Sequence, residues 1–339
     1  MAVRFYNVPI EPIANRYSVQ WATWFKKAIE AEKTPFIEIG ADSWAGKALG
    51  GFLDFRLSAG CKTSQAHELC YRISDHKFDE HVVFFHDIWH PAINTLLYLR
   101  SLADIRIKIV GILHAGSYVP TDLMAKHKAW AAPLEWAWFG NSDLIFVATG
   151  FHRGLVEKFL GKRPWRSRIV QTYFPVYDPS GGFDHGTTKT IDVVFPHRLS
   201  PEKQPDLAAA IAHPFKLVRT MDYNDGAKDN YHAQLLVSKV ALSTALEETF
   251  GIAMVEATMA GCIPLVPHRL SYLEQYPDEL FYRSPDQAST MLRDMVHNYG
   301  NWWYKLEDFR KELRARHAPV DACREMIRQV VELGGHHAN

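Results

Sequence analysis

Short apolar runs alternate with longer stretches of helical periodicity along most of the chain. The runs are FIEI (36–39), HVVFFHD (81–87), IRIKIVGILH (105–114), DLIFVA (143–148), TIDVVFPH (190–197), FKLVRT (215–220), VALSTA (240–245) and CIPLVPH (262–268). Continuous apolar strands separated by helices are typical of parallel sheets that are covered on both faces. The pattern therefore predicts an α/β fold with two doubly wound, Rossmann-like domains.

A Gly- and Pro-rich stretch over 173–190 interrupts this alternation and is the natural linker. The length of 339 residues also exceeds what one hydrophobic core commonly supports. We predict a first domain over 1–177, a second domain over 178–310 and an amphipathic, helical C-terminal segment over 311–339.

Composition narrows the class of protein. The chain is 47% hydrophobic and 22% charged, as packed globular proteins are. Its apolar runs fall short of the ~20 residues that a membrane span needs, and no signal peptide is visible, so we expect a cytoplasmic protein without a membrane partner. The four cysteines show no CxxC spacing, which argues against a structural zinc site or a disulfide framework. The net charge of zero means that any site for a polyanion must be local.

The segment EETFGIAMVEATMAG (247–261) follows a predicted strand and leads into an apolar helix. Glu248 precedes this helix and Glu256 lies inside it. Gly251 lets the backbone approach a ligand closely, and the amides of Phe250, Gly251 and Ile252 at the helix start suit a phosphate. The alternative, for two isolated glutamates, is that Glu248 caps the helix through its dipole and that Glu256 is a solvated helix residue.

Two cations follow the first predicted strand of the second domain. Arg198 and Lys203 lie in VVFPHRLSPEKQPD (193–206), five residues apart. Cations in a loop are mostly exposed surface charge, and that alternative stays open from the spacing alone.

These motifs together resemble the family-4 glycosyltransferases of the GT-B fold. The resemblance is carried by the two glutamates, the Phe-Gly between them, GCIPLV (261–266) and RLSPEK (198–203). It implies two Rossmann-like domains facing a cleft, with a C-terminal helix crossing back. It also implies that Glu248 contacts the donor sugar, that Glu256 holds the ribose, and that Arg198 and Lys203 bind the diphosphate.

The same resemblance implies retaining transfer from a nucleotide-sugar. The donor, UDP- or GDP-linked, would be a co-substrate, and no cofactor is expected. No Asp-x-Asp motif of the kind that holds a metal in other glycosyltransferases is present, so the resemblance implies a metal-independent enzyme.

In the first half, polar residues directly follow two predicted strands. A histidine after GIL resembles the family position beside the donor sugar, which places His114 with Glu248 at the reacting centre; a core histidine is the alternative. His86 and His90 lack a third ligand at motif spacing, so no metal site is predicted. The predicted acceptor-side residues are Arg16, Tyr17, His86, Asp87, Trp89 and Tyr118. Structural capping is the alternative for His86 and Asp87.

Two further resemblances concern the acceptor. Residues 248–285 together with 193–206 resemble the queuosine-tRNA mannosyltransferases, whereas RYSVQW, HDIWHP and ILHAGSY resemble phage glycosyltransferase-like proteins. Such phage enzymes add sugars to hydroxymethylated pyrimidines in DNA. Both resemblances imply a hydroxyl on a modified nucleic-acid base, and we favour hydroxymethylpyrimidine DNA over queuosine tRNA.

A nucleic-acid acceptor would have to be held by local features. A base in duplex DNA must be flipped out, and Trp89, Tyr118 or Trp44 are candidates to stack on it. A basic cluster, which surrounds Trp165, suits phosphates; a solvated face is the alternative. The cluster consists of Arg153, Lys158, Lys162, Arg163, Arg166 and Arg168. Two other functions stay open, a non-catalytic sugar-nucleotide or nucleic-acid binding protein on the same fold and a nucleotide-sugar epimerase.

Overall fold

The computed structural model describes residues 2–11, 13, 17–40, 55–162, 164–181, 188–222 and 228–335. The chain forms two compact units. Unit 1 comprises Met1–Pro175 and Pro319–Asn339, and unit 2 comprises Val176–Ala318. The chain therefore passes between units at 175/176 and 318/319, where the sequence predicted boundaries at 177/178 and 310/311. Part of the predicted linker, 182–187, lies outside the described residues.

Unit 1 alternates strands and helices, as its apolar runs predict. Its elements are β1 (Val3–Val8), α1 (Tyr17–Glu32), β2 (Phe36–Glu38), α2 (Phe55–Asp75), β3 (Glu80–Phe85), α3 (Ala92–Leu102), β4 (Arg106–Ile112), α4 (Lys128–Asn141), β5 (Leu144–Val147), α5 (Gly150–Leu160) and β6 (Arg168–Gln171). The strands pair in the order β2-β1-β3-β4-β5-β6, and every pair is parallel. All residues of β3 are buried, and its last four, VVFF, form a continuous apolar run.

Unit 2 repeats this architecture on a smaller scale. Its elements are β7 (Ile191–Phe195), α6 (Pro205–Ala212), β8 (Leu217–Arg219), α7 (Lys228–Leu236), β9 (Ser238–Leu242), α8 (Ile252–Met259), β10 (Ile263–Pro267), α9 (Tyr272–Gln275), β11 (Phe281–Tyr282), α10 (Pro285–His297), α11 (Tyr299–Lys305) and α12 (Glu307–Arg316). The strand order is β11-β10-β9-β7-β8, again parallel throughout. The predicted fold class of two doubly wound, parallel-sheet units is confirmed.

The predicted C-terminal helical segment is divided between the two units. Helix α12 belongs to unit 2, where Arg314 donates a 2.6 Å hydrogen bond to the carbonyl of Met259 at the end of α8. The last helix, α13 (Pro319–Gly335), returns to unit 1 and packs on α1. Glu32 on α1 accepts hydrogen bonds from Arg324 at 2.8 Å and from Arg328 at 3.1 Å. The return of the last helix agrees with the GT-B expectation.

Each sheet contains one point where the order of the strands reverses. In unit 1 the chain builds outward from β1 to β2 and then from β3 to β6, so the reversal lies between β1 and β3. In unit 2 it lies between β7 and β9 for the same reason. Open parallel sheets bind ligands beyond the carboxyl ends of the strands at such points, which directs attention to residues 9–11, 86–87, 196–204 and 243–251.

None of the helices in the described part of the chain has the length and apolar character required to cross a membrane.

Candidate functional site

Lys203 and Glu248 form the centre of the candidate site in unit 2. Lys203 ends a short 3-10 turn (Pro201–Lys203) beyond β7, and Glu248 lies in the loop beyond β9. The Lys203 ammonium donates to Oε2 of Glu248 at 2.8 Å and to the carbonyl of Glu247 at 2.6 Å, and the lysine is buried. The structure thus brings together two predicted site residues that are 45 positions apart.

Arg198 lies on the exposed side of the same turn. Its Nε and Nη2 donate to Oε1 of Glu202 at 3.0 and 2.7 Å. Glu202 holds the guanidinium beside the end of β7, and about two fifths of the Arg198 side chain stays exposed. This partly exposed guanidinium carries a positive charge, which suits an incoming anion.

The loop before α8 requires a glycine. Gly251 has a φ of 91°, a conformation that L side chains rarely adopt, and a Cβ there would lie 3.2 Å from Cγ of Glu248. Helix α8 begins at Ile252 without a side-chain cap, and the amides of Met254 and Val255 both bond to the carbonyl of Gly251. The amides at residues 251–252 therefore lie at the open end of the helix.

Phe250 anchors this loop from the other side. Its ring is buried with its centroid 5.2 Å from that of His317. Its carbonyl accepts a 2.7 Å hydrogen bond from the side chain of Gln275 on α9. The packing fixes the backbone on both sides of Gly251, so the loop presents its amides in a defined direction.

Glu256 is buried, with 2% of its surface exposed, so the alternative of a solvated helix residue is wrong. Its Oε2 accepts a 2.9 Å hydrogen bond from the Tyr231 hydroxyl, and its Oε1 lies 3.3 Å from the Lys228 ammonium and 3.7 Å from Nε2 of His232. Burial alone would raise the pKa of this carboxyl, but the hydrogen bonds and charges of its partners outweigh burial and lower the pKa. Glu256 is therefore an ionised carboxylate held in place.

A buried polar chain crosses the reversal point of unit 2. Nε2 of His197, just beyond β7, is 2.9 Å from the Ser243 hydroxyl beyond β9, and this hydroxyl is 2.8 Å from that of Tyr272. Burial, together with the charges of Lys203 and Arg198, lowers the pKa of His197 far below its usual range. The imidazole is neutral at physiological pH. The hydrogen bonds among His197, Ser243 and Tyr272 therefore position the loops beyond β7 and β9 through neutral groups.

Unit 1 has a matching feature at its own reversal point. Nε2 of His86, directly beyond β3, is 2.8 Å from Oδ1 of Asn7 on β1. Both side chains are buried, and burial, with a smaller effect of His114, lowers the pKa of His86 to about 3. His86 is neutral and hydrogen-bonded to Asn7, so it acts as a positioning residue at the sheet edge.

His114 lies beyond β4, beside His86. Its Nε2 is 2.9 Å from the carbonyl of His86, and its Nδ1 is 3.5 Å from the Tyr17 hydroxyl. A carbonyl only accepts hydrogen bonds, so Nε2 carries the proton, and in the neutral ring Nδ1 is an acceptor. Tyr17 and His114, which the sequence predicted separately, are therefore in contact, and Nδ1 of His114 can accept a hydrogen bond from the Tyr17 hydroxyl.

Asp87 forms an ion pair at the same sheet edge. Its Oδ2 lies 2.9 Å from the Lys62 ammonium, and its Oδ1 accepts a 3.1 Å hydrogen bond from the amide of Trp89. Burial would raise the pKa of Asp87, but the charge of Lys62 and these hydrogen bonds outweigh burial and lower it. Asp87 is consequently an ionised carboxylate whose geometry is fixed.

Trp89 and Tyr118, which the sequence offered as stacking partners for a base, have hydrogen-bond partners within the protein. The Trp89 indole donates to Oε1 of the buried Glu135 at 2.8 Å. The Tyr118 hydroxyl is 2.6 Å from Nε2 of His152, and the two rings are stacked. Three other residues singled out from the sequence, Arg16, Trp44 and Arg163, lie outside the described residues.

The site contains residues that sequence reasoning missed. Lys228, Tyr231 and His232 surround Glu256, but they lie on α7 in no recognisable motif. His197 lies two residues beyond the end of an apolar strand, a position where ligands are expected, and that signal could have identified it. Within the part of the chain that the structure describes, no group of three or more His, Cys, Asp or Glu side chains is arranged to hold a metal ion.

Two parallel-sheet Rossmann-like units, with the last helix returning to the first, define the GT-B glycosyltransferase fold. The structure is similar to sucrose-phosphate synthase from Thermosynechococcus elongatus, with a TM-score of 0.67 and 13% identity over 98% of this chain and 99% of that chain. It is also similar to the catalytic domain of starch synthase IV from Arabidopsis thaliana, solved with ADP and acarbose, with a TM-score of 0.60 and 9% identity over 98% and 99% of the two chains.

A third similar structure is a pneumococcal O-GlcNAc transferase in complex with UDP and GlcNAc, with a TM-score of 0.53 and 14% identity over 81% of this chain and 61% of that chain. At these identities the structural likeness establishes the fold.

Sequence comparison adds a partial relationship. The chain is 26% identical over 133 residues to tRNA-queuosine alpha-mannosyltransferase of Drosophila melanogaster. The match covers 31% of this chain and 35% of that protein, about a third of each. No protein-family model matches the chain.

Proposed function

We propose that the protein is a glycosyltransferase that moves a sugar from a nucleotide-sugar to a hydroxyl on a modified nucleic-acid base. The observation that carries this proposal is the partly buried Lys203–Glu248 pair beside Gly251, at the reversal point of a GT-B unit. A cation, a carboxylate and the open end of a helix there match the diphosphate and the sugar hydroxyls of such a donor.

The donor would be bound by the residues that the motifs indicate. Arg198 and Lys203 would bind the diphosphate, with the amides of Phe250, Gly251 and Ile252 beside it, and Glu256 would hold the ribose. Glu256 suits a vicinal diol because an ionised carboxylate accepts two hydroxyl hydrogen bonds. A UDP- or GDP-linked sugar is the proposed co-substrate, and UDP is present in the similar pneumococcal transferase structure.

The chemistry proposed is retaining and metal-independent. The bond between the anomeric carbon and the phosphate oxygen breaks, and the acceptor oxygen bonds to that carbon on the same face. The acceptor proton passes to the departing phosphate. Arg198 and Lys203 stabilise the negative charge that develops on the leaving group, and Glu248 and His114 are the proposed contacts of the donor sugar.

For the acceptor, two nucleic acids are candidates, each supported by a specific observation. The partial identity to a tRNA-queuosine mannosyltransferase supports a queuosine tRNA. The phage-like segments RYSVQW, HDIWHP and ILHAGSY support hydroxymethylpyrimidine DNA. Both acceptors offer a hydroxyl on a modified base, and nucleoside mass spectrometry distinguishes them directly.

The test is transfer from a panel of UDP- and GDP-sugars to both nucleic acids, read as a mass gain on one nucleoside. We expect Glu248→Gln to lower transfer at least about 100-fold, a loss of about 2.7 kcal/mol of transition-state stabilisation. The matched control is Glu307→Gln. Glu307 forms an exposed ion pair with Lys311 on α12 and is not among the proposed site residues. This control should transfer normally.

Other outcomes of this experiment distinguish the alternatives. Full turnover by Glu248→Gln with normal donor binding would remove Glu248 from the reaction. Donor binding by the wild-type protein without hydrolysis or transfer would indicate a binding protein on the GT-B fold. Conversion of the donor sugar without any acceptor would indicate an epimerase.

A further inference from the structure

A basic and aromatic surface lies beyond β4 in unit 1. It consists of Lys126, His127, Lys128 and Trp130, which occupy a 3-10 turn (Ala125–His127) and the first residues of α4. All four side chains are exposed, and 51% of the large Trp130 surface faces solvent. We call these four residues the 126–130 surface.

The fold gives no structural reason for the two lysines of this surface. Cations at the amino end of a helix oppose the helix dipole, and the first turn of α4 contains no acidic residue. Among the described residues, no carboxylate forms an ion pair with Lys126 or Lys128. The adjacent carboxylate of Asp122 accepts a 2.8 Å hydrogen bond from the amide of Met124. An exposed tryptophan beside such cations is typical of a binding surface.

The 126–130 surface is continuous with the candidate site of unit 1. The Trp130 ring centroid is 6.2 Å from that of His127 and 6.2 Å from that of Trp89. Trp89 in turn donates its amide to Asp87, directly beyond β3. A ligand lying on Trp130 would therefore reach the sheet edge where Asp87 lies.

We propose that the 126–130 surface binds a single-stranded segment of the nucleic-acid acceptor. One base stacks on Trp130, and the flanking phosphates lie against Lys126 and Lys128. Aromatic rings interleaved with cations are the chemistry that single-stranded nucleic acid requires, since every base has a π-face and every linkage a negative charge. This inference rests on the nucleic-acid acceptor of the proposed function.

The cluster over 153–168 is less suited to this role. Helix α5 runs back from the carboxyl edge of the sheet over about 16 Å, so Lys158 and Lys162 lie towards the opposite edge. Cations at the carboxyl end of a helix are stabilised by its dipole, which explains these two structurally. Arg166 pairs with Asp143, and Trp165 packs against the core of unit 1.

The experiment compares variants of the 126–130 surface with variants of Lys158 and Lys162 at the carboxyl end of α5. The probe is a fluorescein-labelled oligothymidylate of about 20 nucleotides, and its Kd is measured by anisotropy between about 50 and 300 mM KCl. Lys126→Ala with Lys128→Ala should lower the slope of log Kd against log salt by about 1.4, since each lost phosphate contact removes about 0.7. Trp130→Ala should weaken binding about 5-fold or more with the slope unchanged, and Trp130→Phe should restore most of it.

Lys158→Ala with Lys162→Ala is the matched control and should leave both the Kd and the slope at wild-type values. Equal weakening by this control, unchanged binding by the 126–130 variants, or no binding by the wild-type protein would overturn the inference. Donor hydrolysis without acceptor is measured on every variant and should be unchanged. Loss of binding with donor hydrolysis intact supports the surface, whereas a wild-type protein that binds the probe but processes no donor counts against the proposed function alone.

Discussion

A hydrogen bond crosses the reversal point of each sheet and involves a buried, neutral histidine. In unit 1 it joins His86 to Asn7, and in unit 2 it joins His197 to Ser243. In both cases burial keeps the ring neutral, because a charged imidazole loses its hydration there. A neutral ring ties two strand ends together without adding charge to the edge where a ligand would bind.

The Tyr231→Phe variant tests one partner of Glu256 by removing a single hydroxyl. The change removes the 2.9 Å hydrogen bond to a buried carboxylate, so we expect the free energy of unfolding to fall by about 1.5–3 kcal/mol. The donor KM should rise while kcat stays near wild type, because the proposed contact of Glu256 is with the ribose and not with the reacting carbon. Steady-state kinetics with varied donor measures both.

The control for this variant is Tyr304→Phe, since Tyr304 is 70% exposed. It should change neither stability nor KM. A Tyr231→Phe variant that loses stability with an unchanged donor KM would show that the network around Glu256 is structural only.

Sequence reasoning identified residues whose chemistry lies within one motif. Glu248 and Gly251 could be recognised because carboxylate and glycine stand at fixed spacing before a helix. The partners of Glu256 could not be recognised, because Tyr231 lies 25 positions away on another helix and only packing brings the two together. A contact of this kind depends on the orientation of two helices, which spacing along the chain does not encode.

At the scale of elements, Gly251→Ala tests the start of α8. At a φ of 91° an alanine is strained, and its Cβ would lie 3.2 Å from Glu248, so we expect a loss of about 1–2 kcal/mol in the free energy of unfolding. Donor affinity should fall as well, because Glu248 must move. Denaturant unfolding and titration calorimetry measure the two effects.

Gly154→Ala is the matched control. Gly154 lies in the exposed interior of α5 with no atom within 4 Å of an added Cβ, so alanine there should stabilise the protein by about 0.5–1 kcal/mol. If Gly251→Ala were as stable as wild type and bound the donor normally, the helix start would not be a constrained binding loop.

The strands that the sequence predicted carry short apolar runs, whether they are buried along their whole length, as β3 and β10 are, or only in part, as β2 and β8 are. β3 and β10 were predicted as 81–87 and 262–268, so the prediction extends two residues and one residue past their carboxyl ends. β1 was missed because Arg4 and Asn7 interrupt its pattern, and β6 because it is a four-residue edge strand with polar ends. Edge positions and polar functional groups weaken the hydrophobic signal from which strands are predicted.

At the scale of the whole molecule, the sequence predicted two α/β domains but not the order of the strands. Strand order depends on pairing between segments that are separated in the chain. An example is the pairing of β7 with β9, because β8 comes between them in the sequence but not in the sheet. The order matters for function because it sets the reversal points and therefore which strand ends meet. His197 and Ser243 become neighbours only through that pairing.

Acidification should affect the two units unequally. In unit 1, burial lowers the pKa of His81, His86, His90 and His152, to about 3 for His86 and His152; in unit 2 it lowers that of His197. Between the unfolded pKa near 6.5 and the lower folded pKa, the unfolded state binds more protons than the folded state. Stability therefore falls as pH falls through this window, by up to about 1.4 kcal/mol per pH unit for each histidine.

Carboxylates such as Glu256, whose folded pKa is lowered, reduce stability only near and below their ordinary pKa, so the range from about pH 6.5 to 5 isolates the histidines. Hydrogen exchange with mass spectrometry, corrected for intrinsic rates, should show a larger loss of protection in unit 1 than in unit 2 between pH 7 and about 5. His86→Gln should reduce that difference, because glutamine does not titrate. Equal loss in both units would mean that the buried histidines do not determine the acid sensitivity of this protein.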